Sequence, residues 1–199
     1  PTRRSSDLHV RDVETGEDLP DMVKWSKFSG AAWLPDSSGF FYGRYAPPEG
    51  NEYTEANFNQ QLYLHRLHTP QSADEMVYKR PDHPKWGFAP IVTDDGDYLV
   101  LLVWEGTDRR NRVFYKRMED DEVIELIVEL EAGFEFLGNT GPLFYFLTDL
   151  DAPKGKVLAI DVEMPERQKW QTLIPEHDDT LQSASIVHDE FMTVYLHDA

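Results

Sequence analysis

The residues best suited to hydrolytic chemistry are nine serines and seven histidines, in a chain with 37 aspartates and glutamates. A serine nucleophile needs a histidine base and an orienting carboxylate, and in many hydrolases it occupies a strained G-x-S-x-G turn. No G-x-S-x-G occurs in the 199 residues. Pairing serines with histidines without such a turn has almost no specificity. We therefore assign no catalytic residue to this chain.

Two patterns are relevant to metal binding. His65 and His68 lie three apart on an expected strand, so their side chains are predicted to point to opposite faces. Asp94-Asp95-Gly96 lacks the further carboxylates at alternating positions that a calcium loop needs. With no cysteine there is no thiolate ligand, disulfide or cysteine nucleophile. The sequence predicts no metal site and no cofactor.

Charge and hydropathy restrict the partners. The net charge is −18, and the nineteen Lys and Arg residues are scattered, so a phosphate backbone would be repelled. No apolar run approaches the roughly 18 residues of a membrane helix. We expect neither nucleic acid nor membrane as a partner. Cysteine-free composition suits a reducing compartment, so the expected location is the cytoplasm, with the periplasm as the alternative.

The elements that must position any site are short β-rich runs that end in turn residues, and helical periodicity is scarce. These runs predict an all-β chain. The predicted strands are Gly39 to Tyr45, Gln61 to Leu67, Tyr98 to Trp104, Arg112 to Arg117, Leu143 to Leu147, Lys156 to Val162 and Phe191 to Leu196.

The predicted hairpin turns recur along the chain. The turn markers Gly39, Gly96, Gly141 and Asp189 are spaced by 57, 45 and 48 residues. This spacing is close to the roughly 40 to 50 residues of a four-stranded propeller blade, and a sandwich predicts no such repeat. In each unit a small-residue strand precedes the turn and an aromatic strand follows it. We predict a β-propeller fragment of about four four-stranded blades, the first and last incomplete.

Tryptophans in this pattern are expected to pack between blades, because tryptophan supplies a large buried area. This prediction concerns Trp33 and Trp86.

A series of motifs in a fixed order carries a family resemblance. The series resembles the propeller of the prolyl oligopeptidase family from about Val10 to the end. Its members are Leu19-Pro20-Asp21, Lys27-Phe28-Ser29, Ala32-Trp33, Asp36, Gly39-Phe40-Phe41-Tyr42, Gln61-Leu62-Tyr63, Pro84-Lys85-Trp86, Asp94-Asp95-Gly96, Glu105-Gly106-Thr107-Asp108, Asn111-Arg112, Pro175-Glu176-His177 and Tyr195-Leu196-His197-Asp198.

The resemblance implies a longer parent protein. In the family, a seven-bladed propeller caps an α/β-hydrolase domain that holds the Ser-Asp-His triad and cleaves oligopeptides after proline. The implied partners are an oligopeptide substrate and the hydrolase domain of the same chain, in a monomeric parent, and the fragment alone is expected to be inactive. Two alternatives remain: a non-catalytic propeller that binds a peptide or protein, and a related peptidase with dibasic specificity.

The resemblance also implies three substrate-binding positions. Phe28 matches an aromatic residue that lines a pocket for substrate residues preceding the proline, and Gly87 and Thr107 match positions from neighbouring blades. Gly87 and Thr107 both depart from the larger or more polarisable side chains of some family members. Trp104 replaces a residue that is often charged, which predicts a more apolar pocket lip.

Residues 1–8 do not fit the repeat. They match the translation of a common DNA-sequencing adapter, so we interpret them as an artefact preceding a partial propeller at residues 9–199.

Overall fold

The computed structural model describes residues 7–47, 57–188 and 190–197, and within these ranges it contains sixteen β-strands and no α-helix. Two single 3₁₀ turns occur at Gln71–Ala73 and Arg167–Lys169. The strands are β1 Leu8–Arg11, β2 Asp18–Val23, β3 Ala31–Trp33, β4 Gly39–Arg44, β5 Gln61–Arg66, β6 Glu75–Lys79, β7 Trp86–Val92, β8 Tyr98–Glu105, β9 Arg112–Arg117, β10 Ile124–Ile127, β11 Phe134–Thr140, β12 Leu143–Thr148, β13 Lys156–Asp161, β14 Gln171–Ile174, β15 Thr180–Val187 and β16 Glu190–Leu196.

The strands form sheets in chain order. Three sheets have four strands, β3-β4-β5-β6, β7-β8-β9-β10 and β11-β12-β13-β14, and two sheets have two strands, β1-β2 and β15-β16. A four-stranded meander of this kind is one propeller blade. The expected all-β propeller fragment is therefore confirmed as three complete blades flanked by two two-stranded sheets.

The turns between first and second strands form largely where the sequence indicates. Thr93 closes one of them, since its Oγ1 accepts a hydrogen bond of 3.0 Å from the Tyr98 amide and Gly96 adopts a φ of 77°. The third predicted tip is wrong in its bounds. Gly138 lies inside β11, at a register shift, and the turn begins only at Gly141, with a φ of 55°. A glycine in a strand marks a bulge as readily as a turn.

Aromatic residues on the second strand of each blade form the core, as the sequence pattern predicts. Phe40 and Tyr42 on β4, Tyr98 on β8 and Phe144 and Phe146 on β12 are all at most 2% exposed. Burial of rings on this scale is a main source of stabilisation in a sheet-rich chain.

The two tryptophans differ. Trp86 is 6% exposed, as expected, but Trp33 is 41% exposed, so its predicted burial is wrong. Strand alternation explains the difference, because Ala32 occupies the inward position of the three-residue β3. The Trp33 ring instead leans on Phe40 of the next strand, with centroids 5.0 Å apart.

The chain divides into two compact units, Pro1–Val92 with Val103–Gly106, and Thr93–Leu102 with Thr107–Ala199. Phe28, Gly87 and Trp104 belong to the first unit, and Thr107 belongs to the second. In the described part of the chain, no helix has the length and apolarity needed to cross a bilayer.

Candidate functional site

Phe28 lies on the connection between β2 and β3 and presents its ring to solvent. Its side chain is 68% exposed, and its φ is 58°. Trp25 on the same connection has a φ of 64°. A left-handed backbone is uncommon for bulky residues and persists only where surrounding contacts impose it. An exposed phenylalanine on a constrained connection is a surface suited to recognition.

Hydrogen bonds from the adjoining blade fix this connection. The Gln71 side chain accepts from the Lys24 amide at 3.1 Å and donates to the Lys24 carbonyl at 3.0 Å. The Tyr45 amide donates to the Trp25 carbonyl at 3.0 Å. The Gly43 amide donates to Ser29 Oγ at 2.7 Å. The connection is therefore held at both ends, on either side of Phe28.

Trp104 joins Phe28 to Gly87. The Phe28 and Trp104 rings meet edge to face, with centroids 6.2 Å apart and an interplanar angle of 80°. On its other side the indole covers Gly87, where an added Cβ would lie 1.9 Å from Cζ2 of Trp104. Only glycine is compatible with this indole position. The three residues thus form an aromatic patch with a glycine beneath it.

Polar contacts support the strands that carry this patch. The Trp86 indole, next to Gly87, donates to Glu105 Oε2 at 3.2 Å, and Glu105 is next to Trp104. His83 stacks on the Trp86 ring at a centroid distance of 3.8 Å. These contacts bind β7 to the end of β8, so the Gly87–Trp104 packing rests on a braced pair of strands.

Thr107 is exposed and lies in the turn that follows β8. The next residue, Asp108, accepts from the Arg110 amide at 2.9 Å, and from the Arg110 side chain at 3.0 Å on Oδ1 and 2.7 Å on Oδ2. The Arg110 guanidinium and amide lower the pKa of Asp108 to about 2. Thr107 is therefore adjacent to a permanently ionised pair at neutral pH.

A buried polar cluster anchors β2 to the first complete blade. His65 is fully buried, with Nδ1 2.7 Å from Asp74 Oδ1 and Nε2 3.2 Å from Asp21 Oδ1. The Tyr42 hydroxyl donates to Asp74 Oδ2 at 2.5 Å, and burial raises the pKa of Tyr42. Arg44 NH1 lies 4.0 Å from Asp74 Oδ2. The cluster fixes the strand from which the Phe28 connection departs.

The prediction that His65 and His68 share a strand is wrong, although their surroundings do differ: the His65 side chain is 1% exposed and the His68 side chain 70% exposed. β5 ends at Arg66, and a φ of 63° at His68 turns the chain back. The His68 amide donates to Asp21 Oδ1 at 2.5 Å, and its Nδ1 lies 3.8 Å from Asp21 Oδ2. The alternation rule holds only within a strand, so it does not apply to His68. Both histidines contact the same aspartate, Asp21.

Two cavities are lined by none of the three residues of the aromatic patch. One, of about 380 Å³ in the first unit, is lined by Trp25, Tyr45 and Arg44, whose guanidinium stacks 3.6 Å from the Tyr63 ring centroid. Burial raises the pKa of Tyr45 to about 12.

The other cavity, of about 430 Å³ in the second unit, is lined by loop residues and by the ends of β11, β12, β15 and β16. Among these, Asp149 Oδ1 accepts from the Gly133 amide at 2.7 Å, and Lys154 Nζ donates to the Asp178 carbonyl. Both charged side chains thus support loop backbone, which is a structural role.

Comparisons with known proteins agree with this architecture. A family model described as "Prolyl oligopeptidase, N-terminal beta-propeller domain" matches residues 2–199. The chain belongs to this family. It is 33% identical to prolyl oligopeptidase A of Galerina marginata, over 93% of the chain and 27% of the relative. It is 29% identical to a prolyl endopeptidase of Elizabethkingia meningoseptica, over 96% of the chain and 27% of the relative.

Solved structures show the same relationship. One from a study of two prolyl endopeptidases superposes with a TM-score of 0.84 at 35% identity, over 97% of the chain and 28% of its own. Galerina marginata prolyl oligopeptidase B bound to a 25mer macrocyclization substrate gives a TM-score of 0.84 at 30% identity, over 95% and 29%. The chain spans just over a quarter of these proteins and corresponds to their propeller.

The comparisons confirm the predicted family and the propeller fold. The structure brings Phe28 and Gly87 together through Trp104, and Thr107 belongs to the other compact unit. The substrate role of all three residues stays a prediction. Residues 1–6 and the predicted turn marker Asp189 lie outside the described residues, and the interpretation of residues 1–8 as an adapter artefact also stays a prediction.

Proposed function

We propose that this chain is the substrate-gating propeller of a proline-specific serine endopeptidase, which hydrolyses oligopeptides on the carboxyl side of proline. The membership of the chain in the prolyl oligopeptidase family supports this proposal most strongly. In the complete protein, a hydrolase domain outside these 199 residues supplies the serine nucleophile, the histidine base and the oxyanion hole. The propeller limits access to that site and contacts the substrate.

Phe28, Gly87 and Thr107 are the proposed substrate contacts. The exposed Phe28 ring and the Trp104 indole offer an apolar surface for a side chain that precedes the proline. Because Gly87 adds no side chain of its own, Trp104 defines the surface at that position. We expect a preference for apolar over acidic residues two positions before the proline. The cytoplasm is the proposed location and a monomer the proposed state of the parent.

A non-catalytic propeller that binds peptides is the rival function. The relatives matched over this chain are named as prolyl oligopeptidases and endopeptidases, which favours the peptidase. The test is to express the complete protein that contains this chain and to assay a coumarin-linked acetyl-Phe-Gly-Pro against the matched Phe-Gly-Ala substrate. Cleavage of the proline substrate alone supports the proposal. Failure to cleave either, with peptide binding retained, would establish the rival.

A further inference from the structure

Gln60 is a buried polar residue that no catalytic or substrate role explains. Gln60 is 2% exposed and directly precedes β5. Its Nε2 donates to the Lys27 carbonyl at 3.1 Å, and its Oε1 accepts from the Phe88 amide at 2.6 Å. A buried amide that satisfies both a backbone acceptor and a backbone donor has a fixed orientation. One side chain therefore links two segments that are far apart in sequence.

These two segments carry the aromatic patch. Lys27 is the residue before Phe28, and Phe88 is the residue after Gly87, over which Trp104 lies. The Gln60 amide thus connects, through one hydrogen bond on each side, the connection that presents Phe28 and the strand that supports Trp104. Its length and orientation set the spacing of these two backbones.

Gly43 holds the amide from a third side. A Cβ added at Gly43 would lie 2.9 Å from Gln60 Cδ and 3.0 Å from its Oε1. Those distances are shorter than normal contacts, so the glycine leaves room for the amide in its observed orientation. β4 therefore packs against the Gln60 side-chain amide and restricts its orientation.

The bridge needs an amide. Glutamate accepts from Phe88 but offers a carboxylate, which repels the Lys27 carbonyl, and methionine fills a similar volume with neither donor nor strong acceptor. Either replacement removes the hydrogen bond to the Lys27 carbonyl, and methionine also removes the one to the Phe88 amide, so these backbone groups shift toward other partners. The expected result is a change in the relative position of Phe28 and Trp104.

We propose that Gln60 is a positioning residue, which sets the spacing of Phe28 and Trp104 and thereby the preference for an apolar substrate side chain. This inference rests on the proposed function, because it names a determinant of that same surface. Gln60 itself touches no substrate. Its effect passes through Lys27 on one side and Phe88 on the other.

The test compares the complete protein that contains this chain with its Gln60→Met and Gln60→Glu variants by NMR. The probes are acetyl-Phe-Gly-Pro-amide and acetyl-Glu-Gly-Pro-amide. The quantity measured is the dissociation constant of the Glu peptide divided by that of the Phe peptide. We expect this ratio to fall about fivefold in Gln60→Glu, the size of one net hydrogen bond, and at least as far in Gln60→Met, which removes both hydrogen bonds. The Phe88 amide and the Trp104 indole N–H should shift, and Phe88 should exchange its proton faster.

Two further variants separate positioning from general destabilisation. Gly43→Ala should displace Gln60 and lower the ratio in the same direction, without altering the Gln60 side chain. Gln61→Met is the matched control, because Gln61 adjoins Gln60 but accepts from the Tyr63 hydroxyl at 2.6 Å. It should leave the ratio unchanged.

The outcomes are distinct. An unchanged ratio in folded Gln60→Met and Gly43→Ala variants would overturn the positioning role. If the unaltered complete protein binds neither peptide, the proposed assignment of the substrate surface is wrong. The resonances of Phe88 and Trp104 then still report on the bridge, and their invariance in both variants would overturn it.

Discussion

Gly87 and Trp104 share one volume: a Cβ on Gly87 would lie 1.9 Å from Cζ2 of the Trp104 indole. No side chain at position 87 is compatible with that indole, so the smallest residue and the largest are mutually dependent. The same indole meets Phe28 edge to face at 6.2 Å. Substitutions at position 87 therefore act on the aromatic patch through Trp104.

Gly87→Met is expected to expel the Trp104 indole and to separate it from Phe28. The added side chain needs the space that the indole occupies, and overpacking of this kind typically costs about 1–3 kcal/mol. Stability should be measured by urea unfolding, and the indole position by its NMR resonance.

The double variant Gly87→Met/Trp104→Ala should recover much of the loss, since the clash is removed. Gly30→Ala is the control, because a Cβ there meets no atom within 4 Å. Strictly additive losses would contradict the shared volume.

Trp104→Arg is expected to shift substrate preference from apolar to acidic residues two positions before the proline. The indole is replaced by a cation that attracts a carboxylate and no longer completes an apolar surface. The measurement is the ratio of kcat/KM for Phe-Gly-Pro and Glu-Gly-Pro substrates in the complete protein. Trp33→Arg, at an exposed tryptophan whose ring leans on Phe40, should leave the ratio as it is. Equal ratios in both variants would refute the role of Trp104.

Asp74→Ala is expected to destabilise the first unit by about 3 kcal/mol, because it leaves His65 Nδ1 and the Tyr42 hydroxyl buried without their acceptor. Urea unfolding provides the measurement. Asp18→Ala removes the exposed partner of Arg11 and should change stability little. A loss at Asp74 no larger than at Asp18 would show that the buried cluster contributes nothing specific.

Arg110→Gln is expected to raise the pKa of Asp108 from about 2 toward its ordinary value of 3.8. Because the pKa of Asp108 is lowered in the folded state, the pair stabilises the fold at pH values above 3.8. This stabilisation is lost as the pH falls toward 2. The free energies of unfolding of the unaltered protein and of Arg110→Gln should therefore differ at neutral pH and converge in acid. A carboxyl NMR titration measures this shift, and Arg109→Gln, which leaves both side chains of the pair in place, should not reproduce it.

Much of the fold was predictable because strand periodicity and turn chemistry are local. Seven strands were predicted to within two residues of their bounds, and aromatic second strands form the core. The misassigned turn at Gly138 arose because glycine serves both turns and bulges. The wrong burial of Trp33 reflects the short β3, where alternation decides which side chain faces inward.

The site was only partly predictable. Phe28 and Gly87 came from the family resemblance, but their connection through Trp104 depends on tertiary packing that a single sequence does not encode locally. Gln60 gave no signal, because a glutamine before a strand is ordinarily a solvated residue. The His65 cluster was missed since its partner Asp21 lies 44 residues away.

The most direct test of the central claim is to sequence the source DNA outward from both ends of this reading frame. The account predicts that the frame continues through further blades into a strand–G-x-S-x-G–helix turn, with an aspartate and a histidine downstream. A frame that closes a propeller and stops without that turn would contradict it, and the chain would then be a binding scaffold without peptidase activity.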